Sequence, residues 1–369
     1  MSQKLSLVLT TTLTLLDQFQ TAIYSPPQKP APNETDDAKR KDDALSLLTA
    51  SSHTLHSQVT KLSLLTITAP FTHSAVCTVL SALNESVLPS LVTAALLVNP
   101  DDFTKAFHAE IQILAKAALK ELGALIGKVK DVADKKNKAQ SESKKEDDLS
   151  QEEKDVVTVA TGRVWDACDA LVDVATKGVV GFVIRRVEQW RDLVKDAVEE
   201  IEEWDPDEDD DFFDDLLSED KKDAGGEDDD EDDDDDDDTA ITHARKKSTL
   251  RILKPVAQIF PAILTNRLKN AGNASVASSA GVRKLESLMV NLQSIPDDID
   301  EVAGALYEEN WERHTQFLGK VKNNAAKAVG LVKLPWGAAE DTEDKFTTWS
   351  KTWLKVMDEV SKSIDEATI

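Results

Sequence analysis

Apolar residues recur along this chain at intervals of three, four and seven, the spacing that places them on one side of an α-helix. Leu5, Val8, Leu9, Thr12, Leu16, Phe19 and Ile23 mark the first such stripe, which must end before Ser25-Pro26-Pro27. A polar loop with Pro30 and Pro32 follows, to about Thr35. A second helix starts near Asp36 with Leu45, Leu48, Leu55, Val59, Leu62 and Leu65. It stops before Pro70, because the residue preceding a proline is pushed out of the helical region. Residues 71–98 are apolar nearly all round, as expected for a helix at the centre of a bundle, with Pro89 predicted to kink or divide it. Asn99-Pro100-Asp101-Asp102 reads as a turn and N-terminal cap for a fourth helix reaching about Ala133 and carrying Phe103, Phe107, Ile111, Leu114, Ala118, Leu122, Leu125 and Val129.

A polar linker then leads to Ser150, with Glu153 three residues on. That capping-box pattern opens a fifth helix, predicted to bend near Gly178 and Gly181 and to run to Trp204. Helical spacing returns from Ile241 to Lys269, with Pro255 and Pro261 as points of distortion. A small-residue loop (270–279), a short helix to Leu292, a cap at Ser294-Ile295-Pro296-Asp297 and a long helix to about Val332 come next. Leu334-Pro335-Trp336-Gly337 forms a turn, and a last helix carries Phe346, Trp349, Trp353, Val356, Val360 and Ile364. The fold class that follows is all-α: two antiparallel helical bundles of about five and four helices.

Charge divides the two. Between Asp205 and Asp238 stand 23 acidic residues against Lys221 and Lys222, a net −21 of the chain's −26. Such a segment offers too little apolar surface to offset the entropy of ordering it, so it is expected to be disordered. The domains expected are therefore 1–204, an N-terminal bundle; 205–239, an acidic linker; and 240–369, a C-terminal bundle. The remaining composition agrees: 41% hydrophobic residues support folded cores, and 13 Gly and 12 Pro in 369 residues argue against a turn-rich β protein. Two cysteines cannot build a disulfide framework, which points to a reducing compartment. The leucine- and threonine-rich start lacks the cleavage pattern of a signal peptide, and no segment has about 18 uninterrupted apolar residues. No membrane partner is expected.

Catalytic signatures are missing: there is no phosphate-binding glycine loop, HExxH, GxSxG or paired CxxC. His53 and His56 lie one turn apart, but no third ligand accompanies them, and the aspartate run lacks the interleaved glycine of a tight calcium loop. The expectation is no catalytic residue, no metal and no cofactor. Cys77 and Cys168 sit on apolar faces, where a small buried hydrophobe is the expected role. The strongly negative balance disfavours direct nucleic-acid binding. Arg251-Ile252-Leu253 and Arg267-Leu268-Lys269 superficially match basic-x-leucine cyclin-docking peptides, but within a helix they would not be presented as extended chain. Function then falls to apolar groups outside the cores. Phe212, Phe213, Leu216 and Leu217, embedded in acid, resemble a short docking motif that folds on a partner, and Trp336 lies on a turn. The aspartate run itself suits attraction of basic proteins such as histones by long-range, salt-sensitive steering.

Val164-Trp165-Asp166-Ala167-Cys168, the helix ending VKDAVEEIEEWDP at Val194–Pro206 with an acidic stretch directly after it, and Ile299-Asp300-Glu301-Val302-Ala303-Gly304-Ala305-Leu306-Tyr307 before a Trp-rich last helix occur in this order. In these features the chain resembles the cyclin-D-interacting GCIP family, as a divergent member. The resemblance implies an all-α protein with vinculin- and talin-like bundles. It also implies a non-enzymatic adaptor for regulatory proteins, cyclin-like or transcriptional, acting in cell-cycle control in cytoplasm and nucleus. The alternative function is an acidic chaperone for histones or other basic proteins, acting through Asp205–Asp238.

Overall fold

The computed structural model describes residues 2–24, 37–141, 149–207, 232–272, 278–337 and 343–367. Among them every regular element is helical and no strand occurs. They form two compact units: Met1–Phe182 with Asn273–Arg283, and Val183–Gly272 with Lys284–Ile369. The units divide at Phe182/Val183, inside the helix that was expected to close the first bundle at Trp204. Gly178 supplies the local reason. Its backbone (φ 65°, ψ −170°) is non-helical and interrupts the helix Gln151–Glu203, in a region that only glycine occupies without strain.

In the first unit, α1 (Ser2–Ala22) buries Leu5, Leu9, Thr12 and Leu16, with Val8 and Phe19 half-buried beside them. Its threonines are tolerated because their hydroxyls donate back to the carbonyl four residues earlier, as Thr12 does to Val8 at 2.8 Å. The α2 helix (Asp37–Ile67) packs against α4 along Leu48, Leu55, Val59 and Leu62. The apolar helix that follows α2 is present as α3 (His73–Ala82), a π-helical turn (Leu83–Val87) and α4 (Leu88–Leu97), with α3 packed against α1 and α2. Pro89 cannot donate to the Glu85 carbonyl and its ring would crowd it, so the wide turn falls just before the proline. By length and mean hydropathy (1.5) His73–Leu97 would suffice to cross a membrane, and half of its most apolar stretch is buried in the protein.

The predicted cap of the fourth helix resolves into two devices. The Asp101 and Asp102 amides donate to Asn99 Oδ1 (3.0 and 2.9 Å), which closes the turn. Helix α5 (Lys105–Ser141) is capped by Thr104, whose Oγ1 accepts the Phe107 amide at 3.1 Å. The helix outlasts the predicted end at Ala133, since three of the eight residues from 134 to 141 are lysines, good helix formers. Helix α6 (Gln151–Glu203) opens on the predicted capping box: Ser150 Oγ accepts the Glu153 amide (3.3 Å) and Glu153 Oε2 accepts the Ser150 amide (2.9 Å).

In the second unit the C-terminal part of α6 buries Val187, Val194, Val198 and Ile201. Helix α7 (Asp232–Ala257) ends at Gln258. There the Pro255 carbonyl accepts the Trp353 indole N–H at 2.9 Å, before α8 (Ile259–Ile263) and a π-helical turn (Leu264–Leu268). Two sequence boundaries shift. No helix ends at Leu292; α9 (Ser279–Tyr307) runs through Pro296. Its buried line Leu285, Leu288, Leu292, Ile295, Ile299, Val302, Leu306 keeps phase across the proline, so packing on both sides outweighs one lost hydrogen bond.

The break comes instead at Glu309 (φ 55°). The Asn310 amide donates to Ala305 (2.8 Å) and that of Glu309 to Leu306 (3.3 Å), a Schellman closure with glutamate where glycine is usual. Thr242 of α7 donates to Glu309 Oε1 at 2.7 Å and holds it there. Asn310 then caps α10 (Trp311–Leu331) by accepting the Arg313 amide. In α11 (Lys345–Ala367) the buried line is Phe346, Ser350, Trp353, Met357. Trp349 is half-buried and Val356 is 39% exposed, so the predicted stripe is rotated outward in its second half.

Candidate functional site

Of the apolar groups singled out as partner-binding candidates, Phe212, Phe213, Leu216 and Leu217 lie outside the described residues, as does the centre of the acidic run. Trp336 is described, and it sits beside a polar cluster built around a buried arginine.

The cluster begins with Arg267, on the π-helical turn that ends the Ile259–Leu268 segment. Its side chain is 1% exposed, which for a guanidinium requires that every donor be matched. Nε donates to the Val332 carbonyl at 2.6 Å. Nη1 donates to the Asn266 carbonyl (3.0 Å) and Asp344 Oδ2 (2.7 Å), and Nη2 to the Lys333 carbonyl (2.8 Å) and Asp344 Oδ1 (2.9 Å). All five N–H groups are used, two of them in a bidentate carboxylate pair. The guanidinium also lies 4.3 Å from the Phe346 ring centroid. Asp344 stands just before α11 and accepts the Thr347 amide at 2.8 Å, so one carboxylate both neutralises the arginine and caps a helix. The Arg267 pair holds the Asp344 carboxyl well below the usual range, against a smaller opposing effect of burial.

Trp336 sits in the turn between α10 and α11, where Gly337 (φ 71°) takes the left-handed conformation that the predicted Pro-Trp-Gly turn calls for. Its indole N–H donates to the Arg267 carbonyl at 3.0 Å, leaving the ring half-buried and fixed rather than free. Over that ring, 4.7 Å from its centroid, lies the Lys284 ammonium of α9. Lys284 is half-buried, and no carboxylate pairs with it among the described residues. Burial, and secondarily the nearby Arg267 cation, pull its amine below the usual lysine range. In the sequence Arg267 stands out only as part of a discounted basic-x-leucine pattern, and Lys284 does not stand out at all. A lone arginine closing the otherwise uncharged Ile259–Leu268 segment was the available signal.

The other candidates are structural. His56 stacks on Trp165 (5.1 Å between centroids, 17°), while His53 is exposed on the same helix. Cys77 and Cys168 are buried and unbridged, and burial, with Asp169 adding to it, pushes the Cys168 thiol up to about 12. Of the basic residues that follow the acidic run, Lys246 donates to the Trp204 carbonyl and Arg245 lies over the Trp311 ring. Asp205, Asp207 and His243 bring three ligand-type atoms within 4.8 Å of one another on the surface, where the hydrogen bond from His243 Nε2 to Asp207 (3.0 Å) accounts for the approach. His314 is buried, its Nε2 2.7 Å from the Thr249 hydroxyl. That hydroxyl donates to the Arg245 carbonyl at 2.8 Å, so His314 is the donor between the two.

The cluster therefore presents a fixed, half-buried aromatic ring beside an ammonium that has no carboxylate partner among the described residues. No curated protein significantly matches the chain. Residues 47–207, which run from within α2 to just past the end of α6 and hold the Trp165–Cys168 segment and the Trp204-Asp205-Pro206 end, match the family model described as Grap2 and cyclin-D-interacting, N-terminal. Over this part of its length the chain is similar to the GCIP family, and among the described residues every regular element is helical, as the sequence predicts.

Proposed function

We propose that this protein is a non-enzymatic helical adaptor that binds regulatory proteins, cyclin-like or transcriptional, in cell-cycle control, in both cytoplasm and nucleus. The observation that carries the reading is the match of residues 47–207 to a family described by its interaction with cyclin D. Two features support it. The chain's cysteines are buried, with the Cys168 thiol far from ionisation at neutral pH, so neither is poised as a nucleophile. Arg267, Asp344 and the Trp336 indole of the second unit fix helix ends and turns, which suits a rigid presenting surface.

The test is capture of purified D-type cyclin on immobilised full-length protein and on a version lacking Asp205–Asp238, at low and moderate salt. The adaptor reading expects both baits to retain the cyclin at moderate salt, because the helical body carries the surface. If neither bait binds it, and the full-length bait alone binds histones at low salt only, the acidic chaperone takes its place.

A further inference from the structure

We infer that Lys284 and Trp336 form a seat for a short acidic peptide of a partner protein. A carboxylate would meet the Lys284 ammonium, and the apolar residue next to it would lie against the exposed part of the Trp336 ring. The inference rests on the adaptor reading and gives one of its contacts a chemistry.

Four observations lead to it. The Trp336 ring is preorganised: its N–H is tied to the Arg267 carbonyl, and the Pro335–Gly337 turn fixes its backbone, so little side-chain entropy is lost on binding. The Lys284 cation rests on the ring, half-buried and without a carboxylate among the described residues. Among the described carboxylates and guanidinium of this corner, Arg267 has spent all five donors, Asp344 is paired with it, and Glu343 is paired with Lys351. Among the described residues Lys284 is thus a partly desolvated charge without a carboxylate partner, and its burial, with Arg267 nearby, lowers its affinity for its proton. An arriving carboxylate gains more here than at an exposed lysine, because water competes less.

The chain's net charge of −26 argues against a polyphosphate occupant. Double-stranded DNA carries one negative charge per about 1.7 Å, and a single lysine cannot offset that repulsion. A short peptide with two or three carboxylates meets far less of it. An aromatic face beside the cation further favours a peptide that alternates acidic and apolar residues.

Fluorescence polarisation on the full chain provides the test, with a fluorescein-labelled hexapeptide of alternating aspartate and leucine as probe and the asparagine–leucine peptide as control. Saturable binding of the acidic probe alone is expected, weakening as salt rises. Lys284→Met should raise Kd at least about tenfold, Lys284→Arg should stay within about threefold, and Lys284→Glu should abolish binding. Thermal unfolding unchanged from wild type in each variant assigns the loss to the seat. Independently of any substitution, the Trp336 indole N–H resonance should shift as probe is added.

Wild-type affinity in Lys284→Met, or equal binding of the asparagine peptide, overturns the inference. So does binding that appears only after residues 208–231 are deleted, since the chain's own carboxylates would then hold the seat. Cyclin capture that persists unchanged in Lys284→Met while the probe fails to bind removes this seat and leaves the adaptor reading standing. Probe binding by a protein that captures no regulatory partner does the reverse.

Discussion

Replacing Arg267 with methionine should cost the second unit on the order of 3–5 kcal/mol. The substitution keeps much of the side-chain volume but removes a guanidinium that satisfies the Val332, Lys333 and Asn266 carbonyls and both Asp344 oxygens. The Val332 carbonyl, in the turn after α10, loses its side-chain donor, at about 1 kcal/mol or more, while the Lys333 carbonyl keeps the Thr347 hydroxyl at 2.9 Å. Breaking a buried ion pair from one side adds a few kcal/mol when both charges are desolvated. Here the addition is smaller, because the Asp344 side chain is 37% exposed and can rehydrate.

The measurement is urea unfolding of the full chain, with hydrogen exchange at the Thr347 amide as a local probe of the α11 N-terminus. The expected result is an earlier transition for the second unit, faster exchange at Thr347, and an unmoved transition for the first. A double-mutant cycle with Asp344→Asn should return a coupling of more than about 1 kcal/mol. The sign with pH is set by Asp344. Its folded-state pKa lies below the ordinary 3.8, so its contribution is present above that value and is lost as pH falls below it. A loss under about 1 kcal/mol for Arg267→Met, or exchange at Thr347 unchanged, would refute the view that this arginine holds the α10–α11 turn together.

Three further outcomes are expected. Burial, with the Arg245 charge adding to it, lowers the His314 imidazole from 6.5 to about 4. The unfolded chain therefore takes up a proton that the fold refuses, and stability should fall by up to roughly 3 kcal/mol as pH drops from about 6.5 to 4. Denaturant titrations across that range should show the slope in wild type and lack it in His314→Gln. Gly178→Ala forces a Cβ into a backbone conformation reserved for glycine, and calorimetry should register a destabilisation of about 1–3 kcal/mol. Ser150→Ala removes one half of the capping box of α6. It should cost about 1 kcal/mol and accelerate amide exchange in the first turn of that helix; a neutral result would mean that the Glu153–Lys135 ion pair at 2.6 Å suffices.

What could be read from the chain without its fold is whatever is written between near neighbours. The end of α2 before Pro70, the start of α6 at Ser150 and Glu153, the turn at Leu334–Gly337 and the all-helical class each depend on groups within about four residues of one another. Local steric and hydrogen-bonding rules suffice for them. The failures lie where distant groups intervene. Pro296 is a strong stop signal, yet α9 passes through it because Ile295 and Ile299 are buried in a core made by other helices. The actual break carries a glutamate where glycine would be read, and Glu309 is held there by Thr242, 67 residues away. Arg267 reads as a surface charge until Asp344, 77 residues on, arrives to neutralise it, and Trp336 reads as a free aromatic until the carbonyl of that same arginine binds its indole. Only tertiary structure decides such cases. A buried charge, a left-handed residue or a proline within a helix is unfavourable alone, and becomes acceptable only through partners that sequence proximity does not reveal.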